Sequence, residues 1–97
     1  VTTGELCFVS GQIAPDPDFA KEAEGALRKI EAQLERCGLE LAHIVSATVY
    51  LTDMDLYGAF NEVYARVLPA PYPARACVAV RALPGGARVE VQVIAAR

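Results

Sequence analysis

Two stretches near the C-terminal end of this 97-residue chain carry side chains fit for chemistry, YPARACVAV (72–80) and RVEVQVIA (88–95). Each alternates with the period of two expected of a half-buried strand. Parity on the first separates Ala74, Ala76, Val78 and Val80 from Arg75, Cys77, Ala79 and Arg81. On the second it separates Val89, Val91 and Val93 from Arg88, Glu90, Gln92 and Ile94. If LPGG (83–86) turns the two strands into a hairpin, Arg75 and Glu90 share the face away from the valines. A guanidinium fork matches a carboxylate bidentately, and a carboxylate beside it can position and deprotonate a water. The pair therefore makes either a site for a small carboxylate or a plain cross-strand ion pair. Cys77 stands beside the same arginine, where a cation favours the thiolate, yet a buried cysteine equally serves as a small inert hydrophobe.

Other chemistries find less support. His43 is the one histidine, so a Ser/His/Asp triad would have to use it at the start of a strand, far in sequence from any marked nucleophile. That histidine, scattered cysteines and single carboxylates offer no chelating spacing, and no metal is expected. Cys7, Cys37 and Cys77 are odd in number and form no CxxC pair, which argues against a disulfide scaffold and for a reducing cytoplasm. Neither GxGxxG nor GxxxxGK(S/T) occurs, and nucleotide binding is not expected. The net charge of −3 speaks against nucleic acid as a partner. After Glu62, however, Arg66, Arg75, Arg81, Arg88 and Arg97 face one acid, Glu90, an excess that suits a small anion as well as solvated strand ends. No apolar run approaches the roughly 20 residues of a membrane span, and the opening VTTGELCFVSG lacks the basic start of a signal peptide.

Positioning these side chains falls to a short series of elements. LCFVS (6–10) reads as a strand ending at Gly11, preceded by the turn TGE. Val1 to Thr3 are too few to supply the arm before that turn, so an N-terminal strand is expected to be missing. APDPD (14–18) leads into a helix reaching about Cys37, with Asp16 or Asp18 as cap and Pro17 in the first turn. Ala23, Leu27, Ile30, Leu34 and Cys37 give it one buried stripe, and Gly38 ends it. HIVSATVYL (43–51), rich in β-branched residues, reads as a central strand. Thr52 with Asp55 resembles a capping arrangement for a second helix bearing Leu56, Phe60, Val63 and Val67, closed by Pro69 and Pro71. Strand, helix, strand, helix, strand, strand is an α+β layout in a single domain over residues 1–97, with two helices on the all-valine face. The opposite face, holding Arg75, Cys77, Glu90 and Gln92 among apolar neighbours, is of the kind that meets another subunit.

FVSGQI (8–13), LERCGL (34–39), NEVYARV (61–67), YPARACVAV and LPGGARVEVQVIA (83–95) together resemble the reactive intermediate deaminases, the Rid or YjgF-like and endoribonuclease L-PSP-like family, over nearly the whole chain and in order. The resemblance implies a chorismate-mutase-like α+β fold, a mixed sheet with two helices on one face, assembled as a homotrimeric barrel with sites between subunits. It implies hydrolysis of 2-imino acids and their enamine tautomers, such as 2-aminoacrylate, to 2-keto acids and ammonia without a cofactor. By motif match Arg75 would hold the substrate carboxylate and Glu90 would orient the attacking water. Ser10, Asn61 and Cys77 would line the pocket, the backbone near Cys77 counting for more than its sulfur. The family's N-terminal strand, with a GPY-type segment supplying a pocket tyrosine, has no counterpart here. That departure motivates a second reading, a non-catalytic trimer that senses a keto acid or similar carboxylate. A third, an RNA-cleaving translation inhibitor, conflicts with the acidic balance and the lone histidine.

Overall fold

The first long helix forms where the sequence supplies both a stripe and its stops. In the computed structural model, which describes residues 2–97, α1 spans Phe19–Arg36 and buries Ala23, Ala26, Leu27, Ile30 and Leu34. Asp18 caps it, accepting from the Ala20 N–H at 2.9 Å, so Pro17 stands outside the helix and not in its first turn. Gly38 ends it at φ +74°, a left-handed conformation that costs glycine little. The second helix, α2 (Tyr57–Val67), buries Phe60, Val63, Tyr64 and Val67. A 3-10 turn, Met54–Leu56, leads into it, and its cap is Asp53, accepting from Asp55 N at 2.8 Å. Thr52 does not cap; its N–H extends the sheet by donating to Arg88 O.

Five strands form one sheet: β1 (Thr2–Thr3), β2 (Leu6–Gln12), β3 (Ile44–Leu51), β4 (Ala74–Ala79) and β5 (Val89–Ala96), in the spatial order β1-β2-β5-β3-β4. The turn before Leu6 therefore does have an arm, a two-residue strand pairing Thr2 with Cys7 and Thr3 with Leu6. Both helices lie on the face carrying Ala47, Val49, Leu51, Val89, Val91, Val93 and Ala95, each at most 2% exposed, as the all-valine parity predicts. Phe60, Leu27 and Ile30 fill the space above it. No helix among the described residues is long and apolar enough to cross a membrane.

The expected hairpin of the last two strands does not form. β4 runs parallel to β3, with Ala47 opposite Arg75 and Val49 opposite Cys77, while β5 inserts antiparallel between β2 and β3. Helix α2 is the reason: it carries the chain back along β3, which makes β3-α2-β4 a crossover unit, and only a crossover joins parallel neighbours. The segment between β4 and β5, with its 3-10 turn at Pro84–Gly86, then has to step over β3.

Parallel pairing also reverses the expected parity of β4. Residues opposite one another point to the same face, so Arg75 and Cys77 lie on the helix side with Ala47 and Val49, and Ala74, Ala76 and Val78 lie on the open side. Val78 is 44% exposed. Glu90 and Gln92 do occupy the open face, beside Leu6, Phe8, Tyr50 and Ile94.

Candidate functional site

Arg75 is held by helix α2. Its Nη2 donates to Asn61 Oδ1 at 2.7 Å and to Tyr57 OH at 3.2 Å. Tyr57 and Asn61 are four residues apart, which puts both on one stripe of the helix. Three rings frame the cation, with its central carbon 4.8 Å from the Tyr64 centroid, 5.6 Å from Tyr57 and 5.9 Å from Phe60. Such contacts favour a partly desolvated guanidinium by about 0.5–2 kcal/mol each, and a charge-assisted hydrogen bond adds about 1.5–3. These terms are what lets a charge sit on the helix side of the sheet. Among the described residues Nε and Nη1 have no hydrogen-bond partner, leaving their N–H groups free to donate to a carboxylate, though not as one bidentate edge, since both edges of the fork include Nη2.

Cys77 follows on the same side of β4 and is half-buried. Burial raises its thiol pKa and outweighs the opposing pull of Arg75, so the sulfur is held as the thiol at neutral pH. Burial likewise raises Tyr64, against the field of Arg75, and the Tyr64 hydroxyl is enclosed without a partner among the described residues.

Glu90 and Ser10 form a second group on the other face. β2 bulges between Val9 and Gln12 where it pairs with β5, exposing Ser10 and laying Gly11 against the Glu90 carboxylate. A Cβ on Gly11 would stand 2.7 Å from Glu90 Cδ and 3.0 Å from Cγ, closer than real contacts allow, so glycine is what makes room for this carboxylate. Arg75 pairs with Ala47 and Glu90 with Tyr50. Two strand spacings and three residues of rise thus separate their backbones by about 14 Å, and they lie on opposite faces. The structure thus brings Arg75, Asn61 and Cys77 to one side of β4 and sets Glu90 against Gly11, the chain neighbour of Ser10, but does not join the two groups within one chain.

The remaining arginines are not one anion cluster. Arg66 pairs with Glu24 at 3.2 Å, and Arg97 donates to Cys37 O at 3.0 Å. Arg88 leaves the parity expected of it to reach α1: its Nε meets Glu22 Oε1 at 2.8 Å, its backbone N–H meets Oε2 at 2.7 Å, and Nη2 holds Asp16 O at 2.6 Å. Glu22 is 1% exposed, a buried acid that the sequence reading passed over although it borders the apolar stripe. His43 Nδ1 accepts from Glu40 N at 2.9 Å in a capping box, a structural use of the one histidine. Tyr57 was also missed, and its spacing from Asn61 was the available signal.

The five-stranded α+β fold is shared with many solved structures. The family model described as endoribonuclease L-PSP matches residues 1–97. Protein DfrA of Myxococcus xanthus is 40% identical, the match covering 98% of this chain and 79% of the relative. The 2-iminobutanoate/2-iminopropanoate deaminase of Rattus norvegicus is 37% identical, covering 98% and 75%. The crystal structure of E. coli TdcF with bound serine superposes with a TM-score of 0.95 at 33% identity, covering 100% of this chain and 84% of that one. The chain belongs to the endoribonuclease L-PSP family, the YjgF/Rid proteins.

Proposed function

We propose that this protein hydrolyses 2-imino acids and their enamine tautomers to 2-keto acids and ammonia, at a site that two copies of the chain complete together. The observation that carries the reading is Arg75, fixed by Asn61 and Tyr57 through Nη2 with its Nη1 and Nε donors unused. The free Nη1 donors take the substrate carboxylate and fix C2. Glu90, from a neighbouring copy, holds a water and accepts its proton as the oxygen adds to the iminium carbon. Glu90 returns that proton to the amine nitrogen, and as the adduct's hydroxyl gives up its own proton and becomes the keto oxygen the C–N bond breaks and ammonia leaves. An iminium carbon is already electrophilic, so orientation and one base suffice. The rat relative's name supports the choice of substrate, and an amino acid bound to TdcF supports a ligand with a carboxylate.

The separation of Arg75 from Glu90 within the chain is why the reading needs more than one copy. Leu6, Phe8 and Val78 on the open face are 39–44% exposed, an apolar surface suited to burial against other copies, and a homotrimer is the assembly proposed. Freshly generated 2-iminopropanoate should release ammonia faster with the protein than in buffer, and Arg75→Ala should abolish the gain; no acceleration by the wild type sinks the proposal. A carboxylate-sensing module without turnover is the second reading, favoured by the same separation if the chains stay apart. Calorimetric binding of a keto acid by a protein inert toward imines would select it. RNA cleavage is disfavoured by His43, whose Nδ1 is engaged by the Glu40 N–H.

A further inference from the structure

Cys7 and Cys37 stand apart from both groups of site residues and close to each other. The Cys7 Sγ donates to the Cys37 Sγ at 3.2 Å, across 30 residues of chain. Cys7 is 1% exposed on the helix side of β2, while Cys37 is half-buried at the C-cap of α1. A cleft of about 280 Å³ opens on the pair, walled by both cysteines, Thr2, Glu5, Arg36 and Arg97. Arg97 donates to the Cys37 backbone carbonyl at 3.0 Å and helps wall the cleft. The two sulfurs are little more than 1 Å beyond a disulfide bond of about 2.05 Å.

We propose that this dithiol is an oxidative modification site, which a small hydroperoxide entering the cleft converts to a Cys7–Cys37 disulfide. The Cys37 sulfur attacks the distal oxygen of ROOH, the O–O bond breaks, and ROH leaves with Cys37 as sulfenic acid. The Cys7 sulfur then attacks Cys37, the S–O bond breaks, and the departing hydroxide takes the Cys7 proton as water. Two thiols and one hydroperoxide thus give one disulfide, one alcohol and one water, the two electrons passing from sulfur to the peroxide oxygens. A thiol reductant reverses the bond by exchange. Burial raises the Cys7 thiol pKa, with the hydrogen bond to Cys37 adding to it; this leaves the first step to Cys37 and makes the second rest on the proximity of the two sulfurs. The bond would fasten β2 to the end of α1.

The test uses the full-length protein, reduced, freed of reductant and exposed to a slight excess of hydrogen peroxide. The free thiols should fall from three to one. Peptide mapping should find Cys7 joined to Cys37 with Cys77 free, and Tm should rise and return to its starting value with dithiothreitol. Cys7→Ala should stop at a sulfenic acid on Cys37 that dimedone traps, and Cys37→Ser should leave Cys7 unreacted. Three surviving thiols, a link through Cys77, a disulfide between chains or Cys37 over-oxidised beside a free Cys7 would each overturn the proposal. These wild-type outcomes decide the matter even if a variant fails to fold.

Discussion

At Arg75 the balance is between a cation's hydration and what the protein offers instead. Two side-chain acceptors and three ring faces replace most of the water on one side of the guanidinium. Tyr57→Phe keeps the ring but removes an acceptor, and a net loss of about 1–2 kcal/mol is expected. In the proposed reaction this should raise KM for 2-iminopropanoate several-fold with a smaller effect on kcat, as steady-state kinetics would measure. Cys77 tests the opposite point. Its thiol is kept protonated by burial, so Cys77→Ala should retain activity within a few-fold; a loss of three orders of magnitude would make the sulfur a nucleophile after all.

Between elements, two junctions set the geometry. Gly11 in the β2 bulge leaves the space that Glu90 fills, and Gly11→Ala should lower kcat strongly while carboxylate binding at Arg75, read by calorimetry with a keto acid, changes little. Arg88 and Glu22 tie the start of β5 to the first turn of α1. Removing the arginine side chain leaves a carboxylate at 1% exposure without its counter-charge, held only by the backbone N–H of residue 88, and Arg88→Met should cost about 3 kcal/mol in denaturant unfolding. Elements of this kind were unevenly legible in the sequence. The stripe Ala23, Leu27, Ile30, Leu34 and the valines of β5 were readable because burial imposes a period. Pairing was not, since LPGG between two strands looks like a hairpin whether or not a third strand intervenes. The reversed parity of Arg75 follows from that one error, because only the partner strand fixes which face a residue takes. Arg75, Glu90 and Cys77 were named from residue chemistry and strand parity, and Ser10 and Asn61 through family resemblance; their division into two groups was beyond the reach of periodicity.

For the whole molecule, the proposed assembly of copies would cover an open sheet face bearing Leu6, Phe8 and Val78, which the lone chain leaves exposed. Ionisation adds a global dependence. Cys7 and Cys77 have thiol pKa values raised above the ordinary 9.0, and Tyr64 is raised above 10.0. The folded state therefore holds these protons more tightly, a contribution to stability that is complete below about pH 9 and is lost as pH climbs through the folded values. Denaturant midpoints should be level between about pH 7 and 8 and fall above about 9.

The central claim is that Arg75 of one copy works with Glu90 of another, and subunit mixing tests it most directly. Arg75→Ala and Glu90→Gln proteins, each inactive alone, would be unfolded together, reassembled in equal amounts and assayed for ammonia release from 2-iminopropanoate, with mixed assemblies verified by intact mass. Random assembly around a closed ring restores both residues at about a quarter of the sites, so the account predicts recovery of roughly that fraction of wild-type activity. Verified mixed assemblies with no activity above either variant alone would contradict it.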